Sequence, residues 1–345
     1  MTSLRSPSEL AAAGLVGADR VAALDEVAAR YAVALTPDIA ALIDPADAAD
    51  PIARQFLPDL AELSLDPREL PDPIGDDAHS PVEGVVHRYP DRVLLKLLHA
   101  CPVYCRFCFR RETVGPGGAG MLSGEALKRA LDYIRADAGI WEVILTGGDP
   151  LALSARRLGE VMSALAEIPH VRVVRLHSRV PSVDPARVTA QMVEALKLFP
   201  RAVYVALHAN HPRELTPAAR AACARLVDSG IAMVSQTVLL AGVNDDAEVL
   251  ADLMRAFVET RIKPYYLHHP DLAPGTAHLR VGIERGQALV RALLGRVSGL
   301  CQPAYVLDIP GGHGKSPVGP TYATRTETGW SVEDFRGGFH AYDEA

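Results

Sequence analysis

Three of the chain's five cysteines, Cys101, Cys105 and Cys108, follow one another in the spacing C-x3-C-x2-C. Three thiolates on one loop can ligate three irons of a [4Fe–4S] cluster, leaving the fourth iron without a protein ligand. An open metal position lets a small molecule bind the metal directly, as open zinc sites do. Zinc is the rival metal, but a structural zinc site wants four ligands, and His87 or His99 would have to supply the last. Packing cysteines fit poorly in a stretch shared with Arg106, Arg110 and Arg111. A disulfide framework would call for an even set of spread cysteines in a small secreted chain. Cys223 and Cys301 stand alone and read as buried packing residues.

A second group of chemically useful residues is Asp308-Ile-Pro-Gly-Gly-His-Gly-Lys315. Glycines let a backbone approach a ligand closely, and a lysine ending such a loop can form a Schiff base with pyridoxal phosphate. The plain alternative is a flexible surface loop. A P-loop is excluded, because its glycine spacing before the Lys-Ser/Thr pair is longer. Gly147-Gly148-Asp149-Pro150 reads as a tight turn with exposed amides beside a carboxylate. Such a turn can hold a small zwitterion or simply lead from a strand into a helix. His208 and Gln236 taken alone read as core or rim polar residues. Asp271 and Asp308, if both point into a pocket, would repel each other unless a cation joined them.

These residues need elements to position them. From about residue 90, short apolar runs (93–98, 142–146, 171–176, 202–207, 232–239, 263–267 and 304–307) alternate with amphipathic helical patterns (123–136, 155–166, 185–198, 217–228, 245–260 and 284–297). A repeat of roughly 30 residues is that of a βα unit, and such alternation favours a parallel sheet. The fold class is therefore α/β, a partial TIM-like (βα)6 barrel spanning 81–320. It is preceded by a helical N-terminal extension, 1–80, with helical periodicity at 8–15, 21–34 and 36–42, Ser8 and Thr36 as N-caps, and a Pro/Asp-rich connector at 66–77. It is followed by a polar C-terminal tail, 321–345. Barrel active sites lie at the C-terminal ends of the strands. The cysteine trio, the Gly147 turn, His177-Ser178-Arg179, His208, Gln236, the His268-His269…Asp271 stretch and the Lys315 loop all fall at such ends, or, for Gln236, within the fifth strand.

Bulk properties narrow the partners. A formal charge of -7 and a pI near 5.9 argue against a nucleic-acid partner, which usually needs a basic face. No apolar run is long enough to span a bilayer, so no membrane is expected. The first ten residues lack a charged-then-apolar signal, and the expected location is the cytoplasm.

The cysteine spacing, with Phe107 before the last cysteine, resembles the radical S-adenosylmethionine superfamily. The string His87-Arg88-Tyr89-Pro90-Asp91-Arg92-Val93-Leu94-Leu95, continuing through Cys108-Phe109-Arg110-Arg111, resembles the lysine 2,3-aminomutase family. The resemblance runs from about Leu42 to about Pro320. It implies a radical SAM barrel whose metal ligands are Cys101, Cys105 and Cys108. It implies an S-adenosyl-L-methionine site at Gly147, Gly148, Asp149, His208 and Gln236, and pyridoxal 5'-phosphate on Lys315 with Arg88, beside Arg92, at the phosphate. It implies Arg110 at the substrate carboxylate, with Asp271 and Asp308 holding the ε-ammonium of L-lysine; related glutamate-type mutases lack that acidic pair. Arg175 and Arg179 could serve either ligand or close the rim. His313 departs from the all-glycine form of the loop.

The implied reaction converts L-lysine to β-lysine by 2,3-amino migration, with an external one-electron reductant such as flavodoxin or ferredoxin. Longer relatives carry zinc-binding cysteines in a C-terminal extension. No structural zinc is expected here, and assembly, including a homo-oligomer, is left open. The short form resembles the branch that makes β-lysine for elongation factor P, yet that branch often lacks a residue matching Asp308 and the full Pro-Gly-Gly motif. Both are present, which favours free lysine turnover. A 2,3-aminomutase for another amino acid is one alternative, and an iron–sulfur electron carrier or redox sensor is an alternative of another class.

Overall fold

Period-two apolar runs make strands and period-3.6 stripes make helices, and the alternation expected from about residue 90 appears in the computed structural model, which describes residues 3–114 and 120–343. Four short helices come first: α1 (Pro7–Ala12), α2 (Val21–Arg30), α3 (Pro37–Ala40) and α4 (Ala53–Phe56). The helix expected over 21–34 stops at Arg30. Beyond it Tyr31, Val33 and Leu35 are buried alternately, which is strand periodicity, and Leu35 forms a bridge with Leu4.

β1 (Val85–Tyr89) is antiparallel to β2 (Arg92–Leu98). β2 then begins a parallel run with β3 (Glu142–Gly147), β4 (Val173–Ser178), β5 (Ala202–His208), β6 (Ala232–Val238), β7 (Lys263–His268) and β8 (Ala304–Ile309). β9 (Gly314–Pro317) turns back antiparallel on β8, so one nine-stranded sheet follows chain order from end to end. Each parallel step needs a crossover. These are α5 (Gly124–Ala136), α6 (Ala155–Ala166), α7 (Val180–Val183) with α8 (Ala190–Lys197), α9 (Pro217–Asp228), α10 (Ala247–Glu259) and α11 (Ile283–Leu293). The six βα units expected are present, with β8 as a seventh parallel strand and a hairpin at each end. Ser123, Ser154, Thr189, Thr216 and Asp246 cap helices through their side-chain oxygens, each such cap contributing about 1 kcal/mol.

The two faces of the sheet differ. Val143 and Leu145 of β3, Val174 and Leu176 of β4, and Leu267 of β7 join the helices in the main core. The alternating positions Ile144, Thr146, Arg175, His177, Tyr266 and His268 line an internal cavity of about 520 Å³, within the usual size of a ligand pocket. Cys223 and Cys301 are buried as packing residues. Residues 323–342, read from sequence as polar tail, form a small antiparallel sheet of β10 (Ala323–Arg325), β11 (Trp330–Glu333) and β12 (Phe339–Tyr342). Among the described residues no helix is long and apolar enough to cross a membrane.

Candidate active site

The cysteine loop leaves the C-terminal end of β2, and Cys101, Cys105 and Cys108 all line the cavity. Its shape comes from the N-terminal segment. Tyr104 N–H donates to the Ala34 carbonyl at 2.9 Å and Arg106 N–H to the Gln55 carbonyl at 2.9 Å. The Arg106 side chain turns away from the cavity and is 1% exposed, donating from Nε to Glu62 at 2.9 Å and from Nη1 to the Ala32 carbonyl at 2.6 Å. Arg111 meets the same buried carboxylate. Burial raises all three thiols, Cys105 to about 11. A bound metal would reverse that by displacing the protons. Soft sulfur donors on one loop fit iron–sulfur chemistry. The fit rests on donor type and placement, since among the described residues no three His, Cys, Asp or Glu side chains converge as a single ion would require. His87, considered as a fourth ligand, is bonded to Tyr133 at 2.7 Å.

The turn after β3 differs from its sequence reading. Its amides are not exposed: Gly148 N–H donates to the Leu98 carbonyl, and Asp149 N–H to the Ala100 carbonyl at 3.0 Å. Asp149 is buried and accepts from Ser178 Oγ at 2.7 Å and from the N–H groups of Arg179 (2.6 Å), Leu151 (3.0 Å) and Val180 (3.2 Å). Buried polar groups must be paired, so the turn serves first to lock the ends of β2, β3 and β4 together. Arg179 lies between Phe56 and Phe107, 5.1 and 5.2 Å from their ring centres. Arg175 pairs inside the barrel with Glu142 at 2.8 Å.

Deeper in, the rings of His177 and His208 lie 5.4 Å apart. Burial pushes His208 down to about 3 and His177 well below the usual range, so both are neutral near pH 7. Nε2 of each, and Oε1 of Gln236, are buried without a partner. Such atoms are rare in folded proteins, and three lining one cavity fit a polar ligand such as S-adenosylmethionine. His177, part of the rim stretch His177-Ser178-Arg179, carries no motif of its own, and its alternation with buried Leu176 is the signal that turns it into the cavity.

The far wall holds Lys315. Its Nζ donates to both Asp308 oxygens, at 2.7 and 2.8 Å. Burial opposes ionisation of Asp308, but His268 at 3.4 Å and the Lys315 ammonium hold it below the usual carboxylate range. Burial and then the Asp308 charge raise Asp271 to about 7, and its Oδ1 has no partner. Gly311, Gly312 and Gly314 all have positive φ. A Cβ on Gly312 would lie 2.7 Å from His79 Nε2, while His313 occupies a position outside that left-handed run. Arg88 donates to the Ile74 carbonyl at 2.6 Å and to Asp76 at 3.1 Å. Arg110 donates to Asp76 from Nε at 3.0 Å and Nη2 at 2.8 Å. Arg92 keeps the plainer role, pairing with Asp91 at 2.6 Å. A lysine in a glycine cradle with two arginines nearby fits a phosphorylated aldehyde cofactor. Asp76 lay in what the sequence presents as a connector, and nothing in its spacing marked it.

All thirteen candidate residues except Gly147 and Gly148 thus contribute side chains around one cavity, and those two glycines line it through their backbone. A model of the Radical SAM superfamily matches residues 95–254. The L-lysine 2,3-aminomutase of Clostridium subterminale is 40% identical over 313 residues, covering 90% of this chain and 75% of that protein. That of Methanococcus maripaludis is 41% identical over 293 residues, covering 85% and 67%. The glutamate 2,3-aminomutase of Clostridioides difficile is 36% identical over 299 residues, covering 87% and 70%.

Proposed function

This chain belongs to the lysine 2,3-aminomutase family of radical S-adenosylmethionine enzymes, and from that premise we propose that it is a pyridoxal phosphate-dependent isomerase that converts L-lysine to β-lysine. Family membership implies a [4Fe–4S] cluster, S-adenosylmethionine and pyridoxal phosphate. Bound in this cavity, they would supply a hydrogen-abstracting carbon radical and a conjugated ring through which an amino group can move.

The observation that carries the choice of substrate is the acidic wall. Asp308 binds a primary ammonium, that of Lys315, and Asp271 lies near enough for the two charges to interact. The ε-ammonium of lysine suits such a pair, whereas the side-chain carboxylate of glutamate would be repelled. Arg110 offers a planar fork for the α-carboxylate. Gly147, Gly148, Asp149, His208 and Gln236 would hold the S-adenosylmethionine and Cys101, Cys105 and Cys108 the cluster, while the Gly148 and Asp149 amides also brace the cysteine loop at Leu98 and Ala100. Arg88 supports the cofactor phosphate, and Lys315 is the attachment point. By gripping both ends of the substrate, Arg110 and the Asp271–Asp308 pair would position it for the hydrogen transfer the cofactors supply. An external one-electron donor of the flavodoxin or ferredoxin kind would supply the electron such a cluster needs.

The relative that acts on glutamate makes substrate comparison the decisive test. Reconstituted enzyme is incubated anaerobically with dithionite, both organic cofactors and either lysine, arginine, ornithine or glutamate, with mass detection of the β-amino product. β-Lysine is expected to dominate, and equal or faster glutamate turnover overturns the substrate. Absence of 5′-deoxyadenosine would point instead to an electron carrier. Lys315→Ala should lose the borohydride-fixed cofactor mass while keeping its iron; a retained adduct overturns the assignment of Lys315.

A further inference from the structure

Residues 72–80 form a strap between the N-terminal segment and the barrel. The strap is braced internally by Asp72 and packs against the Gly312 loop through Gly75 and His79. Asp72 accepts from the N–H groups of Asp76 at 2.9 Å and Asp77 at 2.8 Å. His79 Nε2 contacts the Gly312 carbonyl at 3.0 Å, and a Cβ on Gly75 would lie 2.5 Å from Gly312 N. At the centre Asp76 is 5% exposed. One of its oxygens takes Arg88 and the other takes the Nε–Nη2 edge of Arg110.

A guanidinium has more than one edge that can grip an oxyanion. With the Nε–Nη2 edge of Arg110 held by Asp76, its Nη1 side remains, facing Thr146 at 3.5 Å. Arg88 likewise keeps a buried Nε with no partner. A single carboxylate therefore decides which donors of both arginines remain for ligands.

We propose that Asp76 is a positioning residue that holds Arg88 and Arg110 in fixed relation, so that the cofactor phosphate and the substrate carboxylate are bound in register. The inference rests on the proposed roles of those two arginines. It requires that Asp76 act on binding rather than on the chemical step.

The test compares the reconstituted holoenzyme with its Asp76→Asn and Asp76→Glu variants. Kinetics give lysine KM and kcat, and fluorescence titration without lysine gives the pyridoxal phosphate dissociation constant. Loss of a charge-assisted hydrogen bond to each arginine should raise both KM and the cofactor dissociation constant about 10-fold in Asp76→Asn, with kcat changed much less. Asp76→Glu should recover most of both constants, which a merely structural role would not predict. Unchanged constants in Asp76→Asn, or a loss confined to kcat, overturn the proposal. If Asp76→Asn does not fold, Asp76→Glu carries the test: both constants within a few-fold of wild type support the proposal, and a change confined to kcat overturns it. If the wild-type enzyme leaves lysine untouched, the substrate reading fails, and the cofactor titration still decides the role of Asp76.

Discussion

The backbone N–H of Lys315 donates to the Tyr89 hydroxyl at 2.7 Å. These residues belong to β9 and β1, the two ends of the nine-stranded sheet, which share no backbone ladder. Their approach is close enough that a Cβ on Gly314, at φ +87, would lie 2.9 Å from the same hydroxyl. The attachment lysine is thus oriented by three elements: β9 carries it, its β8 neighbour Asp308 holds its ammonium, and β1 holds its backbone.

Tyr89→Phe keeps the ring and removes only the acceptor. A neutral hydrogen bond of this kind contributes about 1 kcal/mol. The urea midpoint should fall slightly, while cofactor attachment at Lys315 weakens measurably in an absorbance titration. An unchanged titration would show that β8 and β9 orient Lys315 unaided.

Asp271 gives a pH signature. With its carboxyl titrating near 7, it is neutral in mild acid and carries a second negative charge in mild base. Ammonium binding needs that charge, so lysine KM should fall as pH rises across neutrality. Asp271→Asn should flatten the trend and raise KM in mild base by about 10-fold, the scale of one lost charge-assisted contact. A pH profile that survives the substitution would assign the dependence elsewhere.

Glu62→Gln isolates the brace behind the cysteines. Glu62 is fully buried and holds both Arg106 and Arg111. Removing one charge from such a cluster leaves buried cations uncompensated, at a cost of about 3–5 kcal/mol. Denaturant unfolding should register this loss, and iron content after reconstitution should drop as the loop loses its anchor. Full stability and full iron loading would mean the brace is dispensable.

Gly148→Ala tests the contact between turn and loop. Its Cβ would lie 2.1 Å from the Ala100 carbonyl oxygen and 2.6 Å from Ala100 N, both backbone atoms that cannot rotate aside. The expected result is a folded chain with displaced cysteines, seen as retained circular dichroism with reduced iron per chain. Normal iron loading would show that the loop can shift without losing its ligand geometry.

Much of the molecule was legible beforehand. The strand and helix rhythm from about residue 90 onward follows from side-chain periodicity, a local property, so the order of the parallel elements and the rim they share could be read directly, whereas the hairpin strands β1 and β9 could not. The cysteine trio and the glycine–lysine loop were readable because their chemistry depends on residue type and short spacing. The extended stretch after Arg30 and the small sheet of β10, β11 and β12 were missed because neighbouring chain decides them: Leu35 pairs with Leu4, and β11 is held on both sides.

Residue types and spacings alone determined which atoms could bind metal, carry a cofactor or meet a charge. Tertiary structure decided what each charge is spent on. Asp149, expected beside a ligand, lines the cavity, yet its carboxylate is occupied by Ser178 and by the N–H groups of Leu151, Arg179 and Val180. Asp76 and Glu62, in segments without a motif, hold arginines 12 to 49 residues away. The reason is physical: a buried charge must find its partner in space. At such separations the partner is chosen by how the sheet curls and the N-terminal segment packs, which no local pattern encodes.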